Sequence, residues 1–176
     1  SVIDSLEKDT IVVCEMSCHQ LEYVKASPQT AVLLNIYEEH LDHYVNFNAY
    51  KAAKENIYMY QIEGDLLIYN KELENSAINS LLAEKISVSQ DYTADVYLDG
   101  SDIIFFDKKI PFEKLSPKLE GHHNLYNIAA ALTAAVKNGC DINKAAEAVS
   151  LFNGLEHRME TVRTVNGVKY VNDSIS

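Results

Sequence analysis

The chain has 176 residues, 47% of them hydrophobic, and a formal net charge of -11. It is long enough to bury a real core, and its acidity excludes broad attraction to nucleic-acid backbone or anionic lipid, polyanions that its own field repels. No apolar run approaches the roughly 20 residues that span a bilayer, no basic-then-apolar signal pattern opens the chain, and Cys14, Cys18 and Cys140 suggest no disulfide framework, which fits a cytosolic protein.

In chain order, Thr10 to Met16 is short, β-branched and apolar on both parities, as expected of a strand covered on both faces, and Ala31 to Ile36 repeats the pattern. Both read as inner strands of a parallel sheet, with a short helix or turn from Ser17 to Val24 between them. Asn48 is the expected cap of a helix on which Tyr50, Ala53, Ile57 and Tyr60 recur at helical spacing. Glu63 to Asp65 ends it, Leu66 to Tyr69 is the next strand, and Lys71 to Glu84 reads as another crossover helix. This is βαβ alternation, hence an α/β fold with a mostly parallel sheet flanked by helices.

From Ile86 the texture changes to short strands, Ile86 to Ser89, Asp95 to Leu98 and Asp102 to Phe106, with a turn signal at Asp99 and Gly100, so a small antiparallel patch is expected. An alanine-rich helix starts near Asn124 and stops at Gly139, and Asp141 caps another that runs through Val149. Val162 to Val165 and Val168 to Val171 flank Asn166 and Gly167, whose types suit the two left-handed positions of a hairpin turn. The division expected is a central domain over 1–153 and the beginning of a second, mostly β unit over 154–176.

In an open α/β sheet, ligands gather beyond the carboxyl ends of the strands, where Glu15 and the segment Asn35 to His40 fall. Glu15 is either a paired acid or one that emerges into solvent. His40, among Glu38, Glu39 and Asp42, could join a hard-cation site or lie in a solvated loop. Lys54 either lies near the sheet end or pairs with Glu55 or Glu39. Gly121 to Asn127 places amides and imidazoles at a helix start, where they either cap or bind phosphate or base. Arg158 offers a fork that matches phosphate or pairs with Glu156 or Glu160, and Asp173 accepts from sugar hydroxyls or starts a turn.

Taken together and in order, these segments resemble the Mur ligases of peptidoglycan synthesis, most closely their D-glutamate-adding branch. Glu15 to Glu22 is similar to an E-L-S-S-F-Q-L-E segment of that family, Asn35 to Tyr44 to N-x-x-x-D-H-x-D, and Tyr50 to Lys54 to Y-x-x-A-K. Gly121 to Asn127 is similar to G-x-H-N-x-x-N, Gly154 to Arg158 to G-L-x-H-R, and Asn172 to Ser174 to the start of N-D-S-K. The resemblance implies a P-loop-type central domain and an ATP-dependent amide ligase. Its substrates would be UDP-N-acetylmuramoyl-L-alanine and D-glutamate, and it would act as a monomer.

The resemblance further implies two Mg2+ sites, one on Glu15 and one on His40, with Lys54 carbamylated as a further ligand. Lys54, His40 and Arg158 would serve catalysis; Asn124 and Asn127 would lie by adenine, Arg158 at the ATP phosphates, and Asp173 at the ribose. Ser17 and Gln20 fall in the block that faces the sugar-peptide substrate. Two departures stand out: a glycine-rich phosphate loop is missing from a chain with only six glycines, and Ile175 replaces the usual lysine. The expectation is therefore an excised central piece, inactive alone. The alternatives are another ligase of the superfamily, such as a folylpolyglutamate synthase, or a noncatalytic acidic module that binds a cation or partner.

Overall fold

A computed structural model of the chain describes residues 2–39, 42–90, 93–106, 108–111, 115, 119 and 121–174. The fold is organised around the strand Leu66–Asn70, here β2, whose first four residues are all buried. It pairs in parallel with β1, Thr30–Leu33, on one side and with β3, Glu84–Ser89, on the other. β3 pairs in parallel with β4, Val96–Asp99; β4 and β5, Asp102–Phe105, then form an antiparallel hairpin, and β6, Lys108–Ile110, completes a six-stranded sheet in the order β1 to β6. A second, two-stranded sheet joins β7, Glu160–Val165, to β8, Val168–Asn172.

Because successive side chains of a strand point to opposite faces, β2 feeds two separate cores. Leu66 and Ile68 join Ile86, Val88, Val96 and Ile103 against the alanine-rich helix His122–Lys137. Leu67 and Tyr69 join Ala31, Leu33, Tyr58 and Ile78 on the opposite face. The covering helices there are Phe47–Met59 and the single turn Ser76–Ser80. In chain order the helices are α1, Cys18–Leu21; α2, Phe47–Met59; α3, Ser76–Ser80; α4, His122–Lys137; and α5, Ile142–Leu151. No helix among the described residues is long and apolar enough to cross a membrane.

The expected α/β class and mostly parallel sheet are observed, as are the hairpin at Gly100, the stop at Gly139 and the Asp141 cap. Several local expectations are corrected. Thr10 to Met16 forms no strand; Ile11, Val12 and Val13 are exposed, and with no described strand beside it a β-prone run has nothing to make it extended and buried. β1 is an edge of the described sheet rather than an inner strand, and the antiparallel patch begins with β4 and β5, not at Ile86.

Asn46, not Asn48, caps α2, its side chain accepting from the Ala49 N–H at 3.0 Å. Tyr58, not Tyr60, completes the buried face, because the helix ends at Met59 and Tyr60 is already its cap. The expected helix over Lys71 to Glu84 is broken into a 3-10 turn, Lys71–Leu73, and α3, since the Asn70 and Asn75 side chains each cap a new start and Leu81 turns extended.

Candidate active site

Three of the sequence blocks singled out above, 15–22, 35–44 and 50–54, meet where α1 packs on α2. α1 is only four residues long, too short to persist by propensity, and it is fixed at its start by a reciprocal capping box. The Ser17 hydroxyl accepts from the Gln20 N–H at 3.3 Å while Gln20 Oε1 accepts from the Ser17 N–H at 2.8 Å. Cys18 is thereby turned inward onto Tyr44, Tyr50 and Ala53. Asn56 of α2 ties the far end, donating to the Leu21 carbonyl at 3.0 Å.

Aromatic contacts extend this junction. The Tyr44 ring stacks edge-on at 5.5 Å from Tyr50, with His43 at 4.8 Å from Tyr44 and His19 at 4.6 Å from His43. His43 Nε2 reaches Glu22 at 3.1 Å, so the loop that follows the 35–39 segment is tied back to α1. Burial, then the neighbouring Cys18, pushes the Tyr44 hydroxyl above its ordinary pKa, so it remains a neutral phenol.

Of the predicted site residues, Ser17, Gln20 and Lys54 belong to the two elements of this junction, Arg158 and Asp173 form a second locus, and Asn124 and Asn127 lie apart on α4. Lys54 is half-buried on α2, its ammonium 5.0 Å from the Tyr50 ring centre, a cation–π contact in place of the alternative of pairing with Glu55 or Glu39. Glu55 is turned instead toward Asn75 and Lys51. Glu15 is exposed, two residues before the Ser17 cap of α1. His40 lies outside the described residues, as does Ile175, and no group of three His, Cys, Asp or Glu among the described residues is arranged to hold a metal ion.

At the second locus, Arg158 sits in the exposed turn before β7 and Asp173 follows β8. They are held together through their neighbours: Asp173 Oδ1 accepts from the Met159 N–H at 3.1 Å, and Asn172 Nδ2 lies 2.7 Å from His157 Nδ1. Asn124 and Asn127 lie in the first turns of α4. Asn127 borders a cleft of about 460 Å³ between α4 and α5, lined chiefly by apolar side chains such as Ile128, Leu132, Val149 and Phe152.

One feature escaped the sequence reading. A polar cavity of about 70 Å³ lies at the carboxyl ends of β1, β2 and β3, lined by Asn35, Tyr37, Asn70, Glu72, Ser89, Gln90 and Tyr126. Its volume suits a few waters. The Tyr126 hydroxyl is buried with no hydrogen-bond partner among the described residues, and burial, then Glu72 and Tyr37, push its pKa upward. The signal was present, since the parallel strands β2 and β3 both run out into amide or hydroxyl side chains just where such sheets bind ligands.

Comparison with known proteins gives these loci a context. The profile of the Mur ligase middle domain matches residues 3–135. A protein of Clostridium kluyveri named UDP-N-acetylmuramoylalanine–D-glutamate ligase is 38% identical over all of this chain, and a Clostridium botulinum protein of the same name is 35% identical over 99% of it. The chain spans only 39% and 38% of those relatives' lengths. Among solved structures, MurF ligase from Thermotoga maritima in complex with ADP superposes with a TM-score of 0.65 at 21% identity, covering 84% of this chain and 36% of that one. UDP-N-acetylmuramate-alanine ligase MurC from the same organism gives 0.62 at 19% identity, covering 84% and 35% respectively, a likeness of fold.

Proposed function

Because the chain belongs to the Mur ligase family, we propose that it supplies the nucleotide-handling domain of an ATP-dependent ligase that joins D-glutamate to UDP-N-acetylmuramoyl-L-alanine. The observation that carries this reading is the whole-chain likeness to proteins named as D-glutamate ligases. The meeting of blocks 15–22, 35–44 and 50–54 at one junction supports it. Residues 1–153 are read as the central domain and 154–176 as the start of a C-terminal one.

The residues assigned to magnesium are Glu15, His40 and a carbamylated Lys54. Their chemistry fits a hard cation: Glu15 offers an accessible carboxylate, and Lys54, which as an ammonium would repel the ion, offers anionic oxygens once carbamylated. The partial exposure of Lys54 leaves its amine open to that modification. When bound, magnesium neutralises charge on the phosphoryl group in transit. Arg158 would contribute a guanidinium fork to the same phosphates. Asn124 and Asn127 are assigned to adenine, Asn127 at the rim of an apolar cleft. Asp173, whose Oδ1 accepts from the Met159 N–H, is assigned to the ribose hydroxyls. Ser17 and Gln20 hold α1 through their capping box and present the block assigned to the sugar-peptide.

The reaction joins two displacements. The alanine carboxylate attacks the γ-phosphorus and ADP leaves; the D-glutamate amine then attacks the acyl carbon, phosphate leaves, and the amine gives up a proton. The test is ATP-dependent transfer of labelled D-glutamate to UDP-N-acetylmuramoyl-L-alanine by the full-length protein that carries this chain. Preference for a diaminopimelate, lysine or folate substrate would overturn the assignment. The chain alone, with no glycine-rich phosphate loop in its sequence, is expected to show no ligase turnover.

A further inference from the structure

The turn that carries Arg158 is held in a conformation its own residues resist. His157 and Met159, on either side of the arginine, have φ of 64° and 48°. That is the left-handed region, in which a β-carbon crowds the carbonyl that follows and which non-glycine residues seldom enter. Glycine would take it freely, yet neither position is glycine.

Side chains from the open end of the hairpin hold the strain in place. Glu160 and Asn172 are register partners, the pair furthest from the Asn166–Gly167 turn. Glu160 Oε2 accepts from the His157 N–H at 2.9 Å, and Asn172 Nδ2 points at His157 Nδ1 from 2.7 Å. Glu160 Oε2 also lies 3.8 Å from the same Nδ1, so the His157 ring is held between the two register partners. Asp173, one residue beyond, secures the Met159 N–H. Both left-handed residues are thus bonded through their own backbone N–H groups.

We propose that Glu160 and Asn172 are positioning residues that aim Arg158 at an anionic phosphate group before it binds. The inference rests on the reading of Arg158 as a phosphate contact. A turn that merely linked helix to hairpin would need no paired left-handed residues, whereas strain locked from both sides is how a recognition group is preorganised, lowering the ordering cost at binding. Glu160 and Asn172 act through the turn, not by touching the anion.

The probe is inorganic triphosphate, with dissociation constants read from its 31P shift on titration with this chain. Arg158→Ala is expected to weaken binding about tenfold, Glu160→Ala and Asn172→Ala each by roughly fivefold, and Glu160→Gln, which keeps an acceptor for the His157 N–H, by less than about twofold. In the Arg158→Ala background, Glu160→Ala should add nothing, because its effect passes through the missing guanidinium. Met159→Val, which leaves every locking side chain in place but resists positive φ, should weaken binding without loosening the hairpin, as amide protection across β7 and β8 reports. Wild-type affinity in both Glu160→Ala and Asn172→Ala overturns the proposal, as does an undiminished Glu160→Ala effect without Arg158. Equal binding by wild type and Arg158→Ala instead overturns the reading of Arg158 itself, and this inference with it.

Discussion

The hairpin β7–β8 and the segment Thr10 to Met16 are alike in composition and opposite in outcome. Both are rich in β-branched residues, and both leave those residues exposed: Val162 and Val168 in the hairpin, Ile11, Val12 and Val13 in the segment. Yet only the hairpin is a ladder. Its turn residues Asn166 and Gly167 have φ of 49° and 80°, which brings a partner strand within a few residues. The segment has no such turn, and no described strand lies beside it. Strand propensity is thus realised through a partner supplied locally by a turn, or at long range by a core, and a run with neither stays irregular.

The long-range route can be broken most severely. Ile68 is fully buried at the centre of β2, in the core covered by α4. Ile68→Ala should cost about 2–5 kcal/mol, read as a lower urea midpoint for the six-stranded sheet with the β7–β8 amides little changed. Loss of both together would show that the hairpin depends on the larger core.

Alkaline pH attacks the same body by another route. Burial raises the hydroxyls of Tyr58 and Tyr126 above the ordinary 10.0, with nearby Glu55 adding for the first and Glu72 for the second. A folded value above the unfolded one means that this contribution is fully present below pH 10 and lost as pH rises above it. The slope is about 1.4 kcal/mol per pH unit for each tyrosine. Phenolate absorbance should therefore show these two tyrosines, together with Tyr44, which burial raises likewise, ionising only as the fold opens, and Tyr126→Phe should remove one phenol from that late group.

Which features could be read in advance follows the same division. Locally encoded ones were legible: the Asn-Gly turn, the Gly139 stop, the Asp141 cap and a short helix or turn opening at Ser17. Where two local signals competed, the choice needed tertiary context. Asn46 and Asn48 are both competent caps, and starting at Asn46 brings Phe47 into the helix, where it packs on the cluster of Cys18, Tyr44, Tyr50 and Ala53. Lys71 to Glu84 has helical periodicity, but Asn70 and Asn75 offer side-chain acceptors that start new turns.

The candidate site was legible as blocks rather than as geometry. Order along the chain picked out Lys54 and Ser17, but not the stack of Tyr50, Tyr44, His43 and His19 that joins their elements. Nor could it show that His157 and Met159 would be left-handed, since glycine, the residue that most readily takes positive φ, stands at neither position.

The local route is the more limited target. Gly167 has φ of 80° and open space where a β-carbon would stand, so a substitution there meets backbone strain and no clash. Gly167→Val should cost about 1–2 kcal/mol, confined to the hairpin: faster exchange of the amides of β7 and β8, with the urea midpoint of the six-stranded sheet unmoved.

The smallest expected effect tests the segment that has no partner. Val13 is 94% exposed in this chain, so Val13→Asp removes no buried apolar area and strands no charge in a core. Its cost should stay within about 0.5 kcal/mol, whereas the same change at a doubly covered strand position would bury an unpaired carboxylate and cost several times more. A drop in the urea midpoint comparable to that of Ile68→Ala would mean that Thr10 to Met16 has found a neighbour after all, and that its β-branched residues, like those of the hairpin, are ordered by pairing.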